Sequence, residues 1–146
     1  MKRILICLSI LLMFSCSKTE KSNIPYAPVY FKVDLQFKDK DLIGALRYKE
    51  FTTARNYGEK VGFSGILVVC GYDNSTYYAY DLCCPNEGQQ NIKITPSDDG
   101  TARCLKCGIK FDIGSGLGNV LEGSTTPMLL RSFNVTNKGQ ELIIQY

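Results

Sequence analysis

The chain has 146 residues, seven cysteines, no histidine and a formal net charge of +3. This length suits one domain with a sizeable hydrophobic core, and the apolar and charged fractions are ordinary for a globular protein. The missing histidine excludes imidazole-based catalytic triads and every His-ligated zinc, copper or haem site. Without Lys2 and Arg3 the charge falls to +1, so no basic surface indicates a nucleic acid partner.

The N-terminus has the pattern of a secretory leader. Lys2 and Arg3 precede an apolar stretch, residues 4–14, that is too short to span a bilayer as a helix. Residues 12–16 resemble a bacterial lipobox, in which Ser15 is the small residue before Cys16. That resemblance implies cleavage before Cys16 and a diacylglycerol on its sulfur. The alternative is an ordinary secretory signal in which this cysteine is incidental.

Three regions follow from this interpretation. We expect a signal peptide over residues 1–15, a lipidated cysteine with a polar tether over 16–28, and one domain over 29–146. The acyl chains would anchor the domain to a membrane outside the cytoplasm without a transmembrane helix. The sequence leaves open whether this is the inner or outer membrane, and the periplasmic face or the cell surface.

The rest of the chain is predicted to form short strands separated by turns. Residues 29–38 alternate apolar and polar side chains, which is the period of a half-buried strand. Residues 39–54 are ambiguous between one helical turn and an irregular loop. Residues 66–70 are apolar and β-branched, typical of a buried strand, and residues 76–82 are its partner across a turn at 71–75.

Further strands are predicted at 92–95 paired with 102–104, at 109–112, and at 128–135 paired with 141–145. The glycine-rich residues 114–118 lack the following helix and the Lys-Ser/Thr of a nucleotide-binding loop, so they are interpreted as a turn. Many short strands at close spacing predict an all-β fold. We expect a small β-sandwich or partly open barrel of antiparallel hairpins.

Five cysteines remain beyond the leader and its Cys16: Cys70, Cys83, Cys84, Cys104 and Cys107. The first lies in an apolar strand and is interpreted as a buried small hydrophobe. The other four lie in two predicted loops. A Cys-x-x-Cys-Gly turn, as at 104–108, is typical of a metal site or a redox-active pair.

The segments around these loops resemble a Rieske-type [2Fe–2S] domain. Residues 80–88 match the strand and first loop of that family, which carries Cys-Pro-His, and residues 104–112 match its Cys-x-x-His-Gly loop and the strand after it. Residues 118–129 resemble the family's third loop. The resemblance covers roughly half of the chain after the leader. It implies a β-sandwich built of hairpins and a role in electron transfer.

The ligand positions of the family are changed in this chain. Rieske ligation needs two cysteines on one iron and two histidines on the other. Cys84 and Cys104 occupy the cysteine positions, whereas Asn86 and Cys107 occupy the histidine positions. Ser124 stands where the third loop usually has proline. The resemblance therefore implies a Rieske-like fold with an altered site.

Three kinds of chemistry are compatible with this site. A disulfide between the loops suits an oxidising compartment, needs no cofactor and would stabilise the fold by roughly 2–4 kcal/mol. A metal site would use Cys84, Cys104 and Cys107, with Cys83 as a possible fourth thiolate, or Asn86 or Glu87 as an oxygen ligand. It would hold zinc, mononuclear iron, or a [2Fe–2S] cluster with non-Rieske ligation. Thiol redox chemistry at the Cys104/Cys107 pair is the third.

The sequence thus predicts a membrane-anchored bacterial lipoprotein with a degenerate Rieske-like domain. We expect a non-catalytic structural or binding module, with no catalytic residue assigned, whose loops are tied by a disulfide or a metal. The alternative is an iron–sulfur electron-transfer protein or an accessory subunit of a redox complex, and enzymatic activity is left open. The expected partners are the membrane, through Cys16, and an unidentified protein.

Overall fold

The computed structural model describes residues 23–146, so the predicted signal peptide, Cys16 and residues 17–22 of the tether lie outside the described residues. The predicted all-β fold class is confirmed. Within the described range no helix is both long and apolar enough to cross a membrane, and the helical structure consists of one 3-10 turn, Lys40–Leu42.

The strands over residues 23–146 are β1 (Val29–Asp34), β2 (Tyr48–Phe51), β3 (Lys60–Val61), β4 (Ile66–Cys70), β5 (Tyr77–Asp81), β6 (Ile94–Pro96), β7 (Thr101–Cys104), β8 (Lys110–Asp112), β9 (Val120–Glu122), β10 (Ser132–Asn137) and β11 (Glu141–Gln145). They form a seven-stranded sheet in the order β2-β4-β5-β10-β11-β1-β3 and a four-stranded sheet in the order β6-β7-β8-β9. All strand pairings are antiparallel.

The alternating pattern of β1 buries Val29, Phe31 and Val33 and exposes the residues between them. The strand ends at Asp34 rather than continuing to residue 38 as predicted. The Asp34 carboxylate accepts hydrogen bonds from the backbone N–H groups of Gln36 and Phe37, at 3.0 Å each. This Asx-type turn satisfies the backbone locally and ends the strand.

Strand β4 is buried along its whole length because it separates two hydrophobic cores. Ile66 and Val68 pack into a core inside the seven-stranded sheet. Leu67 and Val69 point to the opposite face and pack into a second core, which the four-stranded sheet covers. The continuous apolar run that marks this strand in the sequence therefore has a direct physical cause, burial on both faces.

The predicted hairpins are present, since β4 pairs with β5, β6 with β7 and β10 with β11. Strands β2, β3 and β9 were not predicted. β2 lies in the segment 39–54, interpreted as one helical turn or an irregular loop, which contains the 3-10 turn and then this strand. β3 and β9 have two or three residues, which carry too little periodicity to be recognised. Assembly of the large sheet depends on long-range pairing of β1 with β11 and of β5 with β10.

Candidate metal centre

Two loops form the candidate site. The first loop, residues 84–88, follows β5, and the second loop, residues 104–108, begins at the last residue of β7. In each loop the glycine N–H donates to the carbonyl of the leading cysteine, from Gly88 to Cys84 at 2.9 Å and from Gly108 to Cys104 at 2.8 Å. Both glycines have left-handed backbones, with φ of 61° and 77°. The chain therefore turns in the same way at both loops.

Three thiols meet between these loops. The sulfur atoms of Cys84, Cys104 and Cys107 all lie within 4.8 Å of one another. Those of Cys84 and Cys107 are 3.7 Å apart. Cys84 and Cys104 are fully buried in the second core, whereas Cys107 is half-buried. One point between the loops is therefore within reach of three sulfur ligands.

The spacing suits one tetrahedral ion. With zinc–sulfur bonds of about 2.3 Å, two thiolates of a tetrahedral site lie about 3.8 Å apart. The Cys84–Cys107 separation of 3.7 Å corresponds to one edge of such a tetrahedron. The remaining sulfur separations, none above 4.8 Å, need only small side-chain rotations to reach the same value.

The pKa values of the two buried thiols are shifted in opposite directions. Burial raises the pKa of Cys84 strongly, and the backbone N–H groups of Glu87 and Asn86 offset this only in part. Burial also disfavours the thiolate of Cys104, but hydrogen bonds from the Cys107 N–H and from the Cys84 and Cys107 thiols outweigh it and lower its pKa. Cys104 is therefore the first of the two to ionise.

Cys83 lies outside this group of thiols. It is buried, and its sulfur atom lies 3.4 Å from the Gln89 carbonyl oxygen and 3.6 Å from the Cys84 carbonyl oxygen. Burial raises its pKa, which favours the neutral thiol. Its neighbour Cys84 points to the other loop, as expected for successive residues near the end of a strand.

Two polar side chains of the first loop form a series of polar contacts that extends to the second loop. Asn86 is exposed, and its amide nitrogen donates to Glu87 Oε1 at 3.4 Å. The other carboxylate oxygen of Glu87 pairs with Lys106 Nζ at 2.7 Å, and the Glu87 side chain is only 13% exposed. This ion pair joins the two loops beside the thiols.

Asp81 fixes the approach to the first loop. This buried carboxylate accepts hydrogen bonds from the N–H groups of Cys83 at 2.8 Å, Phe63 at 3.0 Å and Ser64 at 3.2 Å. Burial raises its pKa, although these hydrogen bonds and the charge of Arg131 oppose that rise. The carboxylate therefore ties the chain before Cys84 to the turn that precedes β4.

The third loop, residues 118–129, packs against the second. A Cβ placed at Gly123 would lie 3.0 Å from Ile109 Cα and 3.2 Å from the Gly108 carbonyl oxygen. Ser124, which occupies the family's proline position, accepts a hydrogen bond from the Thr126 N–H at 3.1 Å and donates to its carbonyl at 3.2 Å. The serine thus forms a local turn with Thr126.

The residues present do not suit a Rieske-type cluster. Such a cluster would place Cys84 and Cys104 on one iron and Asn86 and Cys107 on the other. The chain contains no histidine, and Cys107 lies at van der Waals distance from Cys84, as ligands of a single ion do. The donor set is three soft thiolates around one point, which is typical of zinc or mononuclear iron.

Sequence reasoning did not identify Lys106 as part of the site. Its ion pair with Glu87 joins residues from two different loops, and no local pattern marks such a contact. The signal that was available is the shared spacing of Cys84-x-x-Glu87-Gly88 and the 104–108 turn. Cys70, predicted as a buried hydrophobe, is a fully buried free thiol in β4.

Comparison with protein-family models and with curated proteins finds no match. One similar solved structure is the complex of reduced oxygenase and oxidized ferredoxin in carbazole 1,9a-dioxygenase, with 16% sequence identity and a TM-score of 0.47. The alignment covers 80% of this chain and 93% of that chain. At this level of similarity the comparison assigns neither a family nor an activity to the chain.

Proposed function

We propose that this protein is a membrane-anchored, non-catalytic module of degenerate Rieske-like type whose two cysteine loops are clamped by one metal ion. The observation that carries the proposal is the convergence of the Cys84, Cys104 and Cys107 sulfur atoms within 4.8 Å. Zinc is the first candidate ion, because it takes thiolates in a tetrahedral shell and has no redox chemistry that the site must control. The clamp would stabilise the surface that the loops present to a protein partner.

Two further features support a structural role for the ion. Cys84 and Cys104 are fully buried, and they pack with apolar residues of the second core. A divalent ion compensates the negative charge that burial disfavours on these thiols. Because the loops are distant in sequence, binding free energy at this point becomes folding free energy.

The test is metal analysis and native mass spectrometry of the full chain, purified in detergent without reducing agent or chelator. We expect one zinc per chain, with the loop cysteines retained as thiolates. A chain without metal whose mass is lower by two hydrogens would instead show a disulfide between the loops, most directly Cys84 to Cys107. That result would replace the metal clamp by a covalent one.

A second candidate function is electron transfer through iron bound by the same thiolates, alone or as a subunit of a redox complex. The observation that favours it is the set of backbone N–H groups directed at Cys84 and Cys104. Such hydrogen bonds to sulfur tune the potentials of iron–thiolate centres. Protein purified with bound iron and a visible thiolate-to-iron charge-transfer band would support this function over the zinc clamp.

Membrane attachment is proposed from the sequence alone, through a lipid on Cys16. The test is metabolic labelling of the full chain with a fatty acid in a bacterial host, followed by membrane fractionation. We expect label and membrane association to be lost in Cys16→Ser and retained in Cys7→Ser. Equal labelling of both variants would contradict the proposed anchor.

A further inference from the structure

The two cysteine loops repeat one another more closely than the resemblance to a Rieske site implies. The first loop reads Cys84-x-x-Glu87-Gly88, and the second reads Cys-x-x-Cys-Gly over residues 104–108. Each leading cysteine accepts a hydrogen bond at its carbonyl from the glycine four residues later, at 2.9 and 2.8 Å. Each of these glycines has a positive φ. Both loops therefore form the same backbone turn, which we call a knuckle.

The backbone N–H groups around each sulfur follow the same repeat. The thiol of Cys84 is approached by the N–H groups two and three residues later, those of Asn86 and Glu87. The thiol of Cys104 is approached by the N–H groups of Lys106 and Cys107, again two and three residues later. Glu87 therefore occupies in the first knuckle the position that Cys107 occupies in the second.

The side chain of Glu87 reaches towards the second loop. It is only 13% exposed, and its carboxylate lies 2.7 Å from Lys106 Nζ. Lys106 lies between Cys104 and Cys107 in the second loop, so the ion pair directs the carboxylate towards that loop. Asn86 is exposed, and its amide nitrogen is directed at Glu87.

We propose that Glu87, and not Asn86 at the family's ligand position, is the fourth ligand of the metal centre. This inference rests on the metal-binding function proposed above. One divalent ion would then have a shell of three thiolates and one carboxylate, which together carry more negative charge than the ion neutralises. Lys106 offsets part of that excess. Without metal the carboxylate pairs with Lys106 and lies outside the group of three sulfur atoms, so ligation requires the Glu87 side chain to turn towards them.

The test is titration of the metal-free, reduced full chain in detergent with CoCl2 under anaerobic conditions, followed by displacement with ZnCl2. For the unchanged chain we expect the visible bands of tetrahedral cobalt and a near-ultraviolet thiolate-to-cobalt charge-transfer band. Glu87→Ala should weaken cobalt binding by at least about 10-fold. Glu87→Cys should restore binding and raise the charge-transfer intensity by about a third, as three thiolates become four.

Two matched variants separate ligation from other roles of the carboxylate. Asn86→Ala changes the neighbouring family position and should leave affinity and spectrum unchanged. Lys106→Gln removes only the ion pair and should retain the tetrahedral spectrum, with a smaller loss of affinity than Glu87→Ala. Cys7 and Cys16 are the same in all variants, so differences among them report on the loops.

The outcomes distinguish the two proposals. If the unchanged chain binds no cobalt, the metal-binding function is wrong, and this inference fails with it. If it binds cobalt but Glu87→Ala binds equally well, only the assignment of Glu87 is wrong. If Lys106→Gln loses as much affinity as Glu87→Ala and Glu87→Cys adds no charge-transfer intensity, the carboxylate acts through the ion pair alone and is not a ligand.

Discussion

Cys84 and Cys107 belong to different loops, yet their sulfur atoms lie 3.7 Å apart. The second loop belongs to the four-stranded sheet, whereas the first follows β5 of the seven-stranded sheet. A bond through these sulfurs, whether to a metal or to each other, therefore connects the two sheets at one end of their shared core. Chemistry at this point acts on the stability of the whole domain.

Cys107→Ser tests this connection. Zinc present at about 100 times its dissociation constant stabilises a folded protein by about 2.7 kcal/mol, and the variant should lose most of that increment. The measurement is the melting temperature with and without ZnCl2. Cys70→Ala is the control, because Cys70 is buried in β4 and is not one of the clustered thiols. Cys70→Ala should have a lower melting temperature with and without zinc, but zinc should still raise it. An equal zinc-dependent rise in the melting temperature of Cys107→Ser would contradict the metal clamp.

Asp81→Ala should destabilise the metal-free domain by about 3 kcal/mol, because it leaves three backbone N–H groups near the first loop without their acceptor. Urea unfolding at neutral pH measures this change. Asp73→Ala is the matched control, since Asp73 also accepts N–H groups, from Ser75 and Thr76, but in an exposed turn. Asp73→Ala should lower the free energy of unfolding much less than Asp81→Ala, because water can reach the N–H groups that the exposed carboxylate leaves. Equal losses in the two variants would contradict a positioning role for Asp81.

Asp39 makes the stability of the fold depend on pH in the acid range. Its buried carboxylate pairs with Arg55 Nη1 at 2.8 Å and Lys49 Nζ at 3.2 Å. Burial opposes its ionisation, but hydrogen bonds from Arg55, the Asp34 N–H and Lys49 outweigh burial and lower its pKa. A lowered pKa in the folded state stabilises the fold in full above the unfolded value of about 3.9, and this contribution is lost as pH falls through the folded value.

The substitution Asp39→Asn should therefore lower the free energy of unfolding by about 3 kcal/mol at pH 7, and by progressively less below about pH 4. Urea unfolding of both proteins across this range gives the comparison. The difference in unfolding free energy between them should narrow as pH falls. A difference that stays constant down to the lowest pH would mean that the charge of Asp39 contributes nothing.

Gly123→Ala tests the contact between the third loop and the second. Gly123 and Gly139 both have left-handed backbones, with φ of 88° and 85°. A Cβ at Gly139 meets no heavy atom within 4 Å, whereas one at Gly123 lies 3.0 Å from Ile109 Cα. Gly139→Ala should lose about 1 kcal/mol from backbone strain alone. Gly123→Ala should lose roughly twice as much, because the third loop must also move away. Thermal unfolding of the two variants measures both changes in stability. Equal losses of stability would mean that the third loop moves away from Ile109 at no cost in free energy.

The sequence predicted the strands whose residues share a clear local pattern. β4 was recognisable because burial on both faces selects a continuous run of branched apolar residues, and β5 because it follows across a turn. The length of β1 was overestimated, since the capping carboxylate of Asp34 ends a strand whose alternation continues to Lys38. The pairing of β1 with β11 joins opposite ends of the chain, and alternation carries no information about such partners.

At the site, spacing located the two loops but not the contacts between them. The resemblance to a Rieske loop favoured Cys84 over Cys83 as a ligand but left Cys83 as a fourth thiolate. In the structure Cys84 lies 3.7 Å from Cys107, whereas the Cys83 sulfur contacts the Cys84 carbonyl oxygen instead. The ion pair of Glu87 with Lys106 depends on how the loops face one another, which the fold as a whole determines.

Arg131 sets where the N-terminal segment leaves the domain. Its guanidinium group donates hydrogen bonds to the carbonyl oxygens of Ile24 and Pro25 and lies 5.5 Å from the Tyr146 ring centroid. Asn23, the first described residue, lies beside the first loop, where a Cβ at Gly88 would meet its carbonyl oxygen at 3.2 Å. If Cys16 carries a lipid as we propose, the chain between Cys16 and Ile24 could span at most about 25 Å. The thiol-bearing end of the domain would then stay near the bilayer surface, within reach of a membrane-embedded partner.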